Sequence, residues 1–271
     1  VNRTRNISQS FWRDEQLPWL ELRSTRRSHQ AYKRHYHPQL SVGAILEGET
    51  RCVSHGVEYR LQAGDLIVIP PDAPHSCNPV DGQCRSYHML YLDADWCRAQ
   101  FIGVTASARL VAPAPVIRSP SLFADYLTLV TFMARRQTAA VASAAQRLLR
   151  QLPLHIGTTD TPRASSRYLL TRLQSDLLSP PSLDELAHEC QMRKETLIRT
   201  FKQDVGLTPG SYLNIARIGY ARARLRAGET IADVSYQSGF ADQSHFHRTF
   251  VSYTAATPRQ YASGRSISDN N

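Results

Sequence analysis

The stretch "IADVSYQSGFADQSHFHRTF", residues 231–250, decides what kind of chain this is. Ile231, Val234 and Ser235 fall at i, i+3 and i+4, the apolar or small face of a short helix, and Gly239 breaks it. Asp242 suits the cap of a second helix whose buried stripe is Phe246 and Phe250. That leaves Gln243, Ser244, His245, His247 and Arg248 on the remaining faces. All five can hydrogen-bond outward, and only Arg248 is fixed in charge. A short helix with such a surface has a ligand outside the fold.

A weaker copy of the pattern lies upstream. Leu183, Leu186, Ala187 and Met192 align with Ile231, Val234, Ser235 and Phe240 at one constant offset. After a single inserted residue, Leu197, Arg199, Phe201, Pro209 and Tyr212 align with Phe246, Arg248, Phe250, Pro258 and Tyr261. Two helix–turn–helix units follow from this repeat, joined by a long helix over about residues 209–227. Thr208 and Pro209 suit its N-cap and first position, and Gly228 its stop. In such a unit the second helix enters the DNA major groove and its exposed polar residues meet base edges. The alternative is a helical bundle with a solvated face, and duplicated polar positions argue against it.

Bulk properties agree without deciding. The 271 residues leave room for two ordinary domains, and a formal net charge of +9 favours a polyanionic partner. Arg3, Arg5, Arg13, Arg23, Arg26, Arg27, Lys33 and Arg34 make the first stretch basic. Hydrophobic content is 42%. No run approaches the roughly 18 apolar residues of a membrane span, so no membrane partner is expected. The polar, arginine-rich start does not read as a signal peptide. Five cysteines, an odd number without CxxC spacing, point to reduced thiols in the cytoplasm. Cys77 and Cys84 flank a turn-like segment, residues 78–82, and are expected close together across a hairpin as small buried hydrophobes.

The N-terminal half has a different rhythm. Residues 40–76, "LSVGAILEGETRCVSHGVEYRLQAGDLIVIPPDAPHS", give short β-rich runs separated by Glu-Gly, His-Gly and Ala-Gly-Asp, which suggests a small all-β barrel or sandwich. A short helix is expected over residues 95–101 and an irregular connection over 106–118. Helical periodicity then runs over residues 121–152, through Leu122, Tyr126, Leu129, Val130 and Met133 and on to Ala144, Leu148, Leu149 and Leu152, until Pro153. The expected division is an arm with the first strands (1–34), a β domain with its helices (35–154), a polar linker (155–167), a helical domain (168–263) and a polar tail (264–271).

Both halves resemble one family, the AraC/XylS transcription regulators. The carrying stretches are "LDELAHECQMRKETLIRTFKQDVGLTPGSYL", residues 183–213, and "IADVSYQSGFADQSHFHRTFVSYTAATPRQY", residues 231–261. The second is close to the family pattern I-A-x-V-A-x-x-x-G-F-x-D-x-S-x-F-x-R-x-F-[KR]-x-x-x-G-x-[ST]-P-x-x-Y. Carried over by position, the first reading helix spans residues 193–201. It places Glu195, Ile198 and Arg199 toward bases, with Lys202 beyond. The second spans residues 242–250 and places Gln243, Ser244, His245, His247 and Arg248 there. Several residues depart from the pattern. Gln191 stands where the first turn usually has Gly, Arg193 replaces the usual Ser cap, and Glu195 brings a carboxylate near phosphates. Ser235, Thr254 and Ala256 also differ from the commonest choices. Unequal grip by the two units is the consequence.

The N-terminal resemblance is looser and runs from "HYHPQLSVGAILEGE", residues 35–49, through "AGDLIVIPPDAPHS", residues 63–76. It implies a cupin-like sensor whose barrel holds one small molecule, with the helices over residues 121–152 forming a homodimer surface through Leu122, Leu129, Met133 and Leu148. The class implied is an α+β multidomain chain: an N-terminal cupin-like β-barrel with a helical dimerisation segment, then an all-α double helix–turn–helix. The implied partners are double-stranded promoter DNA, a small-molecule effector, RNA polymerase and a second copy of the chain.

Strand alternation together with the resemblance selects His37, Glu47, His75, Tyr87, Met89 and Tyr91 for the effector pocket. Residues 11–22, with Trp12 and Trp19, are expected to close over its mouth. The competing reading is a metal centre. His35 and His37 sit at i, i+2, and His75 returns from the second motif, a set that suits Fe, Mn or Zn. Against it, Val42 occupies the place of the usual Glu, and only His88, from a neighbouring strand, stands in for a later His. No GxSxG, P-loop or catalytic Cys-His context is present, so no enzyme activity and no cofactor are expected. The effector's chemistry stays open among sugar, amino acid and aromatic acid.

Overall fold

The computed structural model describes residues 8–54, 56–101, 108–157 and 161–263. These fall into two units, each taken by itself: a sheet unit, residues 8–31 and 36–157, and a helical unit, residues 32–35 and 161–262. The expected polar tail, residues 264–271, lies outside the described residues.

The sheet unit starts with β1 (Gln9–Arg13), β2 (Leu20–Ser28), β3 (Leu40–Glu47), β4 (Thr50–Ser54), β5 (Val57–Leu61), β6 (Leu66–Ile69), β7 (His75–Pro79) and β8 (Arg85–Leu92). Then come α1 (Ala94–Ala99), β9 (Arg109–Val111), β10 (Val116–Ile117), α2 (Pro120–Ala134), α3 (Thr138–Gln151) and β11 (His155–Gly157). A six-stranded sheet has the order β1-β2-β8-β3-β6-β10, a second sheet the order β5-β4-β7, and β9 pairs with β11. Alternation along each strand separates two faces. Leu20, Leu22, Leu40, Val42, Ala44, Leu66, Val68, Leu90 and Leu92 turn to one side and meet Tyr126, Leu129, Met133, Val141, Leu148 and Leu149 of α2 and α3 in a single core. Tyr126 anchors it by donating its hydroxyl to the Val42 carbonyl at 3.1 Å. The opposite face turns toward β4 and β7.

Three expectations change. Residues 11–22 are not a flap, because β1 pairs with β2, and β2 with β8 inside the sheet. Trp12 is buried in the helix-side core and donates to the Met133 carbonyl at 3.0 Å, while Trp19 stacks on Trp96. The segment from residue 155 is not all linker, since β11 pairs with β9 and a helix begins at Ala164. Leu122, Leu129, Met133 and Leu148, expected at a dimer surface, are at most 5% exposed and fill the unit's own core.

The helical unit holds α4 (Ala164–Ser175), α5 (Leu183–Glu189), α6 (Lys194–Val205), α7 (Pro209–Arg226), α8 (Ile231–Gln237), α9 (Gln243–Thr254) and α10 (Pro258–Ser263). The repeat is visible in burial: Leu186, Ala187, Leu197, Phe201 and Tyr212 are buried, and so are Val234, Ser235, Phe246, Phe250 and Tyr261. Ser182 and Glu185 form a capping box on α5, Thr208 caps α7, Thr230 caps α8 and Asp242 caps α9. Each motif turn pivots on a left-handed residue, Gln191 in the first (φ 52°) and Gly239 in the second (φ 72°). After α9 the left-handed position is Ala255 (φ 49°), and it matches Gly206 after α6. Among the described residues no helix is long and apolar enough to cross a membrane.

Candidate nucleic-acid interface and effector chamber

The reading helices run a turn longer than the sequence suggests, as α6 and α9. On α6, Leu197, Thr200 and Phe201 face the core, Ile198 is half-buried, and Glu195, Arg199 and Lys202 are exposed. On α9, Phe246, Phe250 and Val251 face the core, while Gln243, Ser244 and Arg248 are exposed. His245 and His247 are half-buried, and the His245 ring packs edge-on against Phe240 at 5.3 Å, so His245 partly serves the turn. The carboxylates that might have claimed Arg248 are engaged: Asp242 accepts from the His245 amide at 2.6 Å, and Glu229 pairs with Arg224 at 3.0 Å. A guanidinium so exposed is available to a ligand.

The two ends are equipped differently. Asp242 caps α9 with its side chain, whereas Arg193 gives α6 no side-chain cap. Lys194 is held by Asp184 at 2.8 Å. Other arginines of this half are structural. Arg217 donates to the Leu177 carbonyl at 2.7 Å and covers Phe240, and Arg222 and Arg226 cover the Tyr261 ring. Net positive charge therefore overstates the number of phosphate contacts on offer.

In the sheet unit, the inner face gathers aromatic and basic side chains. The His37 ring lies 5.2 Å from His75 and 5.2 Å from Tyr91, and His75 turns Nδ1 to the Ala73 carbonyl at 2.8 Å. His35 belongs to the stretch grouped with the helical unit, where its Nδ1 lies 2.7 Å from the Lys33 carbonyl. Tyr87 meets two guanidiniums, Arg23 at 5.6 Å and Arg85 at 4.7 Å from its ring centre, and Arg23 also lies 5.8 Å from Tyr91. Arg85 is 2% exposed and ties the two sheets by donating to Thr50 Oγ1 at 2.8 Å and to the Cys77 carbonyl at 2.5 Å. Met89 backs this wall beside Gly43, where an added Cβ would meet its methyl at 3.0 Å.

Glu47 does not join them. A register shift between Ile45 and Glu47 rotates it out to solvent, where it accepts from Ser86 Oγ at 2.7 Å. His88 also leaves the chamber: it sits on the helix-side face, 2.8 Å from Ser24 Oγ, and burial, helped by the charge of Arg26, lowers its pKa to about 4. Sequence reasoning missed Arg23, Arg85, Thr50 and Cys52. The available signal was parity, since Arg23 alternates with Leu20 and Leu22 on β2.

A paired helix–turn–helix and a cupin-like chamber in one chain define a class: a transcription regulator that couples a small-molecule site to DNA binding. A model of the AraC-like ligand binding domain matches residues 18–173, and a helix-turn-helix domain model matches residues 186–264. The chain belongs to the AraC family. It is 29% identical over 249 residues to the HTH-type transcriptional activator RhaR of Escherichia coli K12, covering 85% of this chain and 86% of that one. It is 26% identical over 228 residues to the HTH-type regulator YbfI of Bacillus subtilis, covering 80% and 82%. Among solved structures, ToxT from Vibrio cholerae O395 aligns with a TM-score of 0.54 at 16% identity, over 95% of this chain and 98% of that one. ToxT shares the two-domain fold.

Proposed function

We propose that this regulator, which is not an enzyme, reads its operator chiefly through α9 and answers to a small acid held between Arg23 and Arg85. The observation that carries the DNA half is Arg248, exposed on the second reading helix and free of a carboxylate partner among the described residues. A guanidinium pairs with guanine O6 and N7 in a bidentate fork. Gln243 and Ser244 flank it on α9, and Arg199 with Lys202 present the weaker contacts of α6. Glu195 opposes phosphate there. Arg248→Ala is expected to lose about 1–3 kcal/mol at the cognate site, with little change on random DNA and an unchanged melting curve. Equal loss on both DNAs would reduce Arg248 to a phosphate contact.

For the effector, the support is charge. Two buried guanidiniums and two imidazoles face the chamber, Glu21 pairs with Arg13 at 2.7 Å, and Glu47 is outside. Buried cations of this kind favour an anionic ligand. Tyr87, Tyr91 and Met89 offer it an apolar or aromatic body. ToxT has been seen with an unsaturated fatty acid and with a methylnaphthalenyl butenoic acid, both acids. A thermal-shift series of carboxylic acids against their amides tests this. Acids should stabilise the chain and Arg23→Met should abolish the shift; amides or amines shifting it more would reject the acid reading. RhaR's description as an activator supports RNA polymerase as a further partner. A second copy would dock on the half-buried stripe Phe123, Leu127 and Val130 of α2, since the inward leucines are already used.

A further inference from the structure

Cys77 does not face Cys84 across the turn. It lies directly opposite Cys52 in the antiparallel pair β4–β7, and the two sulfurs are 3.0 Å apart. All five cysteines are free thiols, and these two are buried, at 0% for Cys52 and 8% for Cys77. Directly opposed residues of an antiparallel pair have Cα atoms about 4.5–5.5 Å apart. A disulfide accepts Cα separations of roughly 4.4–6.8 Å, so the bond can close with little backbone movement. Two apolar neighbours would not need the next feature. Arg85 donates to the Cys77 carbonyl at 2.5 Å and brings a buried cation to the pair. The Cys52 thiol beside it and the charges of Arg85 and Arg23 hold Cys77 below the usual thiol range, while its proximity to Cys77 and burial push Cys52 up. Of the two sulfurs, Cys77 is therefore the one that gives up its proton more readily and the better nucleophile.

We infer that Cys52 and Cys77 are a peroxide-oxidisable dithiol built into the effector chamber, closing reversibly to a disulfide between β4 and β7. The Cys77 thiolate attacks one oxygen of a hydroperoxide, ROOH. The O–O bond breaks, Cys77 becomes a sulfenic acid, and the alkoxide leaves as ROH after taking the proton that Cys77 gave up. The Cys52 sulfur then attacks the sulfenic sulfur. An S–S bond forms, the S–O bond breaks, and hydroxide leaves as water with the Cys52 proton. Two thiols are oxidised by two electrons and the peroxide is reduced; a dithiol reductant reverses the change. The disulfide would lock together two strands whose inward residues include His75 and Thr50, at the residue whose carbonyl holds Arg85. Oxidation then alters the same wall that lines the chamber. The inference does not depend on the effector being an acid.

The test is peroxide treatment of the full chain followed by thiol counting and peptide mapping under non-reducing conditions. The expected result is loss of two of the five thiols, a single Cys52–Cys77 cross-link, and recovery of both thiols with dithiothreitol. Cys84→Ser and Cys190→Ser should oxidise like the parent chain. Cys52→Ser should instead trap Cys77 as a sulfenic acid that dimedone labels. Oxidation that modifies Cys84 or Cys190 while Cys52 and Cys77 stay reduced would overturn the inference, and so would a cross-link joining any other pair.

Discussion

Gln191 holds the turn between α5 and α6 in the left-handed region, at φ 52°, and replacing it with glycine should stabilise the helical unit. The left-handed region costs an L-residue about 1–2 kcal/mol, and glycine gives back roughly 0.5–1 kcal/mol through its freer unfolded state. The net gain is about 0.5–1 kcal/mol, or a rise of roughly 2–8 °C in melting temperature for a unit of this size. No contact offsets it, because the Gln191 side chain is exposed and only its amide bonds inward, to the His188 carbonyl at 3.0 Å. The assay is thermal melting of the full chain followed by far-ultraviolet circular dichroism, with Gln191→Ala as control. Alanine removes the same side chain but keeps the Cβ, so it should melt with the parent. The second turn supplies the opposite sign. A Cβ on Gly239 would sit 2.8 Å from the Leu177 carbonyl oxygen and 3.0 Å from Arg217 Nε. Gly239→Ala should therefore cost more than the roughly 1–2 kcal/mol of the backbone alone. Glycine and alanine at 191 melting together would refute the reasoning.

Three further outcomes follow from particular contacts. His88 has its pKa lowered from 6.5 to about 4, so the unfolded chain takes up a proton that the folded chain refuses. Stability from this residue is complete above pH 6.5 and falls by roughly 3 kcal/mol as the pH drops toward 4. His88→Gln should flatten that part of the stability–pH curve, and an unchanged curve would refute the assignment. Asp204 accepts from the Arg163 amide at 3.0 Å and from Ser166 Oγ at 2.6 Å, capping α4 from another helix. Asp204→Ala should cost about 1–2 kcal/mol by chemical denaturation, and a loss below a few tenths would show that water replaces it. Limited proteolysis with a broad-specificity enzyme should cut first within residues 158–163, between β11 and α4; first cuts inside α7 would contradict the division into two units.

The helical half was legible because its repeat compares the chain with itself. Leu197 and Phe246, or Phe201 and Phe250, are buried equivalents, and every expected cap from Thr208 to Asp242 forms. The missing glycine of the first turn was also legible, and Gln191 does take the left-handed conformation. The corresponding site after α9 is Ala255, and an alanine gives no sign of it in the sequence. Residue type alone marks such a position only when it is glycine. Helix periodicity likewise found Leu122, Leu129, Met133 and Leu148 as one buried stripe. It could not say what buries them, because a stripe that meets a sheet and a stripe that meets another chain have the same spacing.

The chamber was harder for a physical reason. Alternation along a strand separates two faces, and polar residues are then assigned to solvent. In a barrel-like unit with helices on one face, neither face of the central strands is solvent. Arg23 and Arg85 are thus buried although their residue type says exposed. They are tolerated because an aromatic ring and a carbonyl receive them: Tyr87 contacts both, and Arg85 spans to Thr50 and Cys77. Register adds a second obstacle. One irregularity between Ile45 and Glu47 exchanges the faces beyond it, which is why Glu47 is outside while Tyr87, Met89 and Tyr91 keep their parity within β8. The same exchange bears on the ligand proposed above. With Glu21 paired to Arg13 and Glu47 outside, Arg23 and Arg85 are what favour an acid over an amine in that proposal.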